Sequence, residues 1–176
     1  MKMIVVSNHL FQTTHVEFPE DIVVRVNLAW MKDLATAKKT LAGIKHDVYL
    51  DYPQGRSKPP RPTLTLEQAL DLAKKYKNVK YFAVSNVEEP VEVKKLRGKI
   101  PAKIQFVPKI ETKRGVRNLS GIVKAGKVKY AMLDKEDLYV DVDRDQKTFE
   151  ILINAARKCA SDCGITLLEL QGVVFA

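Results

Sequence analysis

A lysine and a glutamate two residues apart are the first candidates for chemistry in this sequence. Lys109 and Glu111 stand in the segment P-K-I-E-T, where an apolar, strand-like run gives way to a basic, helix-like one. Alternation along a strand places both side chains on the same face. If the strand belongs to a parallel α/β sheet, this position is its carboxyl end, where such folds keep their active sites.

A second acidic position follows the next strand-like run. Glu136 and Asp137 lie in the segment L-D-K-E-D-L. Glu111 and Asp137, from neighbouring strand ends, could together hold Mg²⁺, which prefers oxygen ligands and keeps waters that a substrate can replace. Lys109 could neutralise charge that develops on an enolate oxygen. Either carboxylate could instead cap a helix or form a surface ion pair.

Other polar residues also close predicted strands. They are Arg25 and Asn27 in V-R-V-N, Asp51 in Y-L-D-Y, and Ser85 with Asn86 after F-A-V. Arg25 could hold a substrate carboxylate through two parallel hydrogen bonds, with Asn27 and Asp51 as further substrate-binding residues. The alternatives are that Arg25 and Asp51 pair with each other, and that Asn27 caps a helix beginning near Met31.

The elements that would position these residues alternate along the chain. Short apolar runs predict strands at 3–6, 22–26, 48–50, 79–84, 104–107, 128–133 and 165–168. Between them lie helical patterns, including a capping box of Thr65 and Gln68, apolar stripes over 116–123 and 149–163 ending at Gly164, a stripe over 31–41, and a short helix over 90–96. No clear helix is predicted for residues 7–21, and the basic, proline-rich residues 54–62 predict a loop.

This alternation predicts βαβ units with parallel strands. We expect an α/β fold in which residues 1–176 form one domain, a compact or incomplete (β/α)8 barrel of the TIM type. Full barrels of this kind usually need about 250 residues.

Composition limits the possible partners. The chain has 176 residues and a formal net charge of +9, and residues 94–129 contain twelve lysines or arginines against the single acid Glu111. Such a surface attracts anions, either a carboxylate or phosphate substrate or a nucleic acid. Few aromatic residues stand among these lysines and no RNA-recognition motif or zinc finger is present, so a nucleic acid is not favoured. The absence of a long apolar run and of a signal-peptide pattern predicts a cytoplasmic protein without membrane contact, and the two cysteines are expected to be reduced thiols.

Three short motifs resemble the phosphoenolpyruvate/pyruvate barrel superfamily. They are V-R-V-N-L near residue 25, F-V-P-K-I-E-T-K-R-G-V-R-N-L near residue 110, and K-E-D-L-Y-V-D near residue 137. The K-I-E motif, and the L-D at Asp51 followed by a glycine-basic loop, look like pyruvate kinase. The E-D-L-x-x-D motif and the C-terminal segment look like the citrate lyase β-subunit and its HpcH/HpaI aldolase relatives.

The resemblance implies a (β/α) barrel that binds Mg²⁺ (or Mn²⁺) through Glu111 and Asp137, with Arg25 facing a small anionic carboxylate substrate. Lys109 aligns with the lysine that pyruvate kinase uses on phosphoryl and enolate oxygens. The leading hypothesis is a metal-dependent lyase or aldolase that acts on a pyruvate-like or oxo-acid substrate through an enolate. The alternatives are phosphoryl transfer of the pyruvate kinase type and a barrel that binds a metabolite or partner without chemistry. A homodimer is expected, because pairing could complete the core of a short barrel.

Overall fold

The computed structural model describes residues 5–13, 19–55 and 59–169. These residues form two compact units, one within residues 1–84 and 99–105 and the other within residues 85–98 and 106–176. The sequence prediction of a single domain over residues 1–176 stays a prediction.

The first unit contains four parallel strands with helices between them. In chain order its elements are β1 (Val5–Ser7), α1 (Asn8–Thr13), β2 (Val23–Asn27), a 3-10 turn (Leu28–Trp30), α2 (Leu34–Gly43), β3 (Asp47–Tyr52), α3 (Leu66–Lys75) and β4 (Val79–Val84). β2 pairs with β1 and β3, and β3 pairs with β4. The register aligns Asn27 with Asp51, so the ends of β2 and β3 lie side by side.

The second unit contains the remaining strands. Its elements are α4 (Pro90–Lys99), β5 (Gln105–Ile110), α5 (Lys113–Arg117), α6 (Leu119–Gly126), β6 (Tyr130–Leu133), α7 (Lys135–Asp141), α8 (Gln146–Asp162) and β7 (Thr166–Glu169). The last residue of α4, Lys99, and the first residue of β5, Gln105, are assigned to the first unit. β6 pairs in parallel with β5 and with β7. Lys109 is aligned with Met132 and Ile110 with Leu133, so β5 and β6 also end together.

Seven parallel strands in sequence order, each joined to the next by one or two helices, are present in the described parts of the chain. This confirms the predicted fold class, an incomplete α/β barrel. All seven predicted strands are found within a few residues of their predicted bounds, although residues 3 and 4 of the first lie outside the described residues. Among the described residues, no helix has the length and apolar character needed to cross a bilayer.

Local signals explain several helix ends. The Thr65 side chain accepts from the backbone of Gln68, and the Gln68 side chain accepts in return, which confirms the capping box. Helix α8 ends at Asp162, and Gly164 follows with a φ of 65°, a left-handed conformation that glycine adopts without strain.

Two expectations about helices were wrong. The segment for which no clear helix was predicted contains α1, although residues 14–18 lie outside the described part. The stripe expected as one helix over 116–123 is divided at Asn118 into α5 and α6. The loop over residues 54–62 has neither helix nor strand in its described positions, and residues 56–58 lie outside them.

Candidate active site

Lys109, near the end of β5, and Glu111, the first residue after β5, are both buried. Lys109 is 4 % exposed and Glu111 is 3 % exposed, while Ile110 between them is fully buried. The Lys109 ammonium nitrogen lies 2.8 Å from Glu111 Oε1. The prediction that the two side chains share one face is therefore confirmed.

Lys109 has polar neighbours on two sides beyond Glu111. Its ammonium donates a hydrogen bond to Ser85 Oγ at 3.1 Å, and it lies 3.6 Å from Asp134 Oδ2. Because a buried ammonium needs compensating charge and hydrogen bonds, these contacts fix where the Lys109 side chain ends.

Glu111 is held through its other carboxylate oxygen. The backbone N–H of Asn86 donates to Glu111 Oε2 at 2.9 Å. Asn86 has a φ of 53°, a left-handed conformation that asparagine tolerates better than most residues. The backbone N–H of Val87 donates to the carbonyl of Lys109, so the segment after β4 is fastened to the end of β5.

The end of β6 adds a carboxylate that sequence reasoning missed. The backbone N–H of Asp134 donates to the carbonyl of Ile110, and its side chain caps α7 by accepting from the backbone of Asp137 at 3.4 Å. Asp134 stands immediately after an apolar run and before K-E-D, which is the sequence pattern of a helix N-cap. This pattern could have indicated that a carboxylate lies at the end of β6.

Glu111, Asp134 and Asp137 form one group. A carboxylate oxygen from each lies within 4.8 Å of the others, a spacing at which the three could hold a metal ion. Glu111 and Asp134 are buried and Asp137 is half-buried. Glu136, the other acid of the same motif, is exposed and is not a member of this group.

The electrostatics of the group favour an additional cation. Burial raises the pKa of Glu111; the charge and hydrogen bonding of Lys109 oppose this shift, and the charges of Asp134 and Asp137 add to it. With all four groups ionised, three carboxylates and one ammonium leave a net charge of −2. The Lys109 ammonium lies 2.8 Å from Glu111 Oε1, and no other hydrogen-bond donor of the described residues reaches this oxygen. A hard divalent cation fits this set of oxygen donors.

The predicted substrate-binding residues lie in the other unit. Arg25 donates from Nε (2.9 Å) and from Nη2 (2.5 Å) to Asp51 Oδ2, and Asp51 is 1 % exposed. Asn27 accepts from the backbone of Ala29 and so caps the 3-10 turn. The mutual pairing considered for Arg25 and Asp51 is therefore present. The capping considered for Asn27 is found at the 3-10 turn and not at a helix beginning near Met31, because the next helix, α2, begins at Leu34 and has Asp33 as its N-cap.

Arg25 and Asn27 also line a cavity of about 600 Å³. Its wall includes Trp30, whose side chain is 71 % exposed, and His9. A guanidinium, an amide and an indole on one wall can accommodate a small ligand with a polar and an apolar part. The role of Arg25, Asn27 and Asp51 in substrate binding stays a prediction.

Comparisons with known proteins give the fold a wider context. No protein-family model matches the sequence, and no curated protein matches it significantly. Solved structures do match. An HpcH/HpaI aldolase/citrate lyase family protein from Burkholderia cenocepacia superposes with a TM-score of 0.68 at 10% identity, over 95% of this chain and 79% of the other.

Two further structures are similar. The citrate lyase beta subunit of M. tuberculosis, complexed with oxaloacetate and magnesium, has a TM-score of 0.67 at 16% identity, over 95% of this chain and 76% of the other. RipC from Yersinia pestis has a TM-score of 0.63 at 12% identity, over 95% and 74%. At these identities the likeness shows the fold alone, an α/β barrel shared with the citrate lyase beta subunit and HpcH/HpaI aldolase structures, and it is consistent with the resemblance of the sequence motifs.

Proposed function

We propose that this protein is a metal-dependent carbon–carbon lyase or aldolase that acts on a pyruvate-like or oxo-acid substrate through an enolate. The observation that carries the proposal is the group of Glu111, Asp134 and Asp137, with oxygens within 4.8 Å of one another at the carboxyl ends of β5 and β6. Parallel α/β folds place their active sites at this end of the strands.

The comparisons support the choice of reaction class. The citrate lyase beta subunit of the same fold is complexed with a small oxo acid and magnesium, and another structure of that protein holds magnesium and acetoacetate. Fold alone does not define a function. A matching fold that also has buried carboxylates at strand ends supports Mg²⁺ or Mn²⁺ as the cofactor here.

Each residue has a proposed role. Glu111 and Asp137 would hold the cation, which supplies positive charge for the carboxylate and keto oxygens of the substrate when it is bound. Lys109 would stabilise negative charge that develops on the substrate oxygen, because its ammonium is buried and fixed by Ser85 and Glu111. Arg25, with Asn27 and Asp51, would orient the substrate carboxylate; the resemblance supports this assignment.

Replacement of single carboxylates tests the proposal. Pyruvate release from a panel of hydroxylated oxo acids would be measured with Mg²⁺, with Mn²⁺ and with EDTA. We expect Glu111→Gln and Asp137→Asn each to reduce metal-dependent turnover by at least about 100-fold, because the cation supplies several kcal/mol of charge stabilisation. Glu136→Gln is the matched control, since it removes an equal charge from an exposed neighbour. Equal activity of Glu111→Gln and the control would contradict the assignment.

Phosphoryl transfer of the pyruvate kinase type is the second candidate. The buried Lys109 beside Glu111 favours it, since the resemblance assigns a lysine in this position to phosphoryl and enolate oxygens. Turnover of phosphoenolpyruvate that depends on a nucleotide would distinguish this activity from a lyase.

A barrel that binds a metabolite or partner without chemistry is the third candidate. The observation in its favour is that the guanidinium of Arg25 makes two contacts with Asp51. Metal-dependent binding of an oxo acid with no turnover of any panel member would support it.

The expected setting is a cytoplasmic homodimer with a small carboxylate as its ligand. The oligomeric state can be measured by light scattering during size-exclusion chromatography. Nucleic acid is not the proposed partner, because the basic segment 94–129 has few interleaved aromatic residues.

A further inference from the structure

Lys109 and a divalent cation in this site would both be attracted to the carboxylate of Glu111. Lys109 Nζ lies 2.8 Å from Glu111 Oε1, an oxygen that no other hydrogen-bond donor in the described part of the chain reaches. Because Glu111 Oε2 already accepts from the backbone N–H of Asn86, a divalent cation held by Glu111 would compete with Lys109 for Oε1. Two positive charges this close repel each other strongly in a buried environment, so the cation and Lys109 can share the group only if another anion offsets Lys109.

Asp134 is placed to be that anion. Its Oδ2 is 3.6 Å from Lys109 Nζ, and the residue is 8 % exposed. Its backbone N–H is bonded to the carbonyl of Ile110, and its Oδ1 caps α7, the helix that begins at Lys135 and carries Asp137. Asp134 therefore contacts both the lysine and the helix of a proposed metal ligand, while its own position is fixed.

The charge count agrees with this arrangement. If Asp134 offsets Lys109, Glu111 and Asp137 retain a charge of −2, which matches a divalent cation. Without Asp134, Lys109 and Glu111 would neutralise each other and leave one carboxylate for the metal.

We propose that Asp134 is a positioning residue that serves as the counter-ion of Lys109 when metal is bound, so that Lys109 and a divalent cation are held in the same site. This inference rests on the metal site of the proposed function. The mechanism is a shift of the Lys109 ammonium from Glu111 toward Asp134, with Ser85 Oγ as a constant hydrogen-bond acceptor.

A double-mutant cycle tests the inference. The four proteins are the wild type, Asp134→Asn, Lys109→Met and the double variant. Asparagine retains the ability to cap α7 but removes the charge, and methionine retains most of the length of lysine. Affinity for Mn²⁺ and Mg²⁺ would be measured by isothermal titration calorimetry. Asp145→Asn is the matched control, because Asp145 caps α8 in the same way at an exposed position.

We expect Asp134→Asn to weaken metal binding by at least about tenfold, a conservative figure for the loss of a close, buried charge. In the Lys109→Met background the same substitution should change the affinity less than threefold or so, because no lysine remains to be offset. The Asp145→Asn control should bind as the wild type does.

Two results would overturn the inference alone. If Asp134→Asn weakened metal binding equally in the wild type and in Lys109→Met, Asp134 would act on the metal directly, as a ligand or through its negative charge, and not through Lys109. Unchanged affinity of Asp134→Asn would show that it has no part in the site. A wild-type protein that binds neither metal would overturn this inference and the proposed function together.

Discussion

Replacing Lys109 with methionine should destabilise the metal-free protein. The expected loss in the free energy of unfolding can be estimated from the distances between the Lys109 ammonium and the carboxylates of Glu111 and Asp134. At 2.8 Å from Glu111 and 3.6 Å from Asp134, with an effective dielectric constant of about 20, the ammonium gains roughly 6 and roughly 5 kcal/mol of attraction. Burial of the ammonium costs several kcal/mol in the opposite direction. Since the two terms oppose each other, we expect a net loss in Lys109→Met of about 3 kcal/mol, the lower end of values measured for breaking a buried ion pair.

The pH dependence of this loss has a definite sign. Burial raises the folded-state pKa of Glu111 above its ordinary value of 4.5, and Lys109 restrains that rise. A carboxyl with a raised folded pKa stabilises the protein most below its unfolded pKa, and stability is lost as pH rises through the folded value. Without Lys109 the folded pKa rises further. The deficit of Lys109→Met should be small near pH 4 and should grow toward pH 8.

Urea unfolding in EDTA, followed by circular dichroism at several pH values, measures the deficit. For a chain of this size, about 3 kcal/mol corresponds to a fall in Tm of roughly 6–12 °C. Lys94→Met, at an exposed helical position, is the control and should change the free energy of unfolding by less than about 0.5 kcal/mol. A deficit that is equal at all pH values, or no larger than that of the control, would refute the reasoning.

Two further predictions concern stability elsewhere in the chain. Asp51→Ala should lower the free energy of unfolding by about 3 kcal/mol, because it removes a buried carboxylate that Arg25 contacts twice. Chemical denaturation measures this change. A loss below about 1 kcal/mol would contradict the pairing of Arg25 with Asp51. Gly115→Ala should cost about 1–3 kcal/mol, since a Cβ there would lie 2.9 Å from the carbonyl oxygen of Val87, whereas the control Gly43→Ala, with open space around its Cβ, should be neutral or slightly stabilising in the same assay.

The fold was largely predictable because its signals are local and repeated. Each strand is a short apolar run, and several helices begin at a recognisable cap such as Thr65. The helix α1 was missed because it is only six residues long and has no acidic residue in its first turn or basic residue in its last. The break at Asn118 was missed because the apolar stripe continues across it, and Val116 and Leu119 are both buried although they belong to different helices.

The candidate site was predictable in part. Alternation on a strand correctly placed Lys109 beside Glu111, and the spacing of strand ends correctly brought Glu111 near Asp137. Asp134 could not be assigned to the site from its residue type, because an N-cap aspartate has the same sequence pattern whether or not it contacts a buried lysine. Only the tertiary distance between Asp134 and Lys109 separates the two cases.

A metal titration tests the central claim most directly. Mg²⁺ and Mn²⁺ would be added to the wild type, to Glu136→Gln and to the double variant Glu111→Gln, Asp137→Asn, with and without oxalate, while thermal unfolding is followed. A metal whose free concentration is one hundred times its dissociation constant should stabilise the folded state by about 2.7 kcal/mol. We predict a rise in Tm for the wild type and Glu136→Gln that oxalate enlarges, and no rise for the double variant. No rise in any protein, or an equal rise in all three, would contradict a metal site at Glu111 and Asp137.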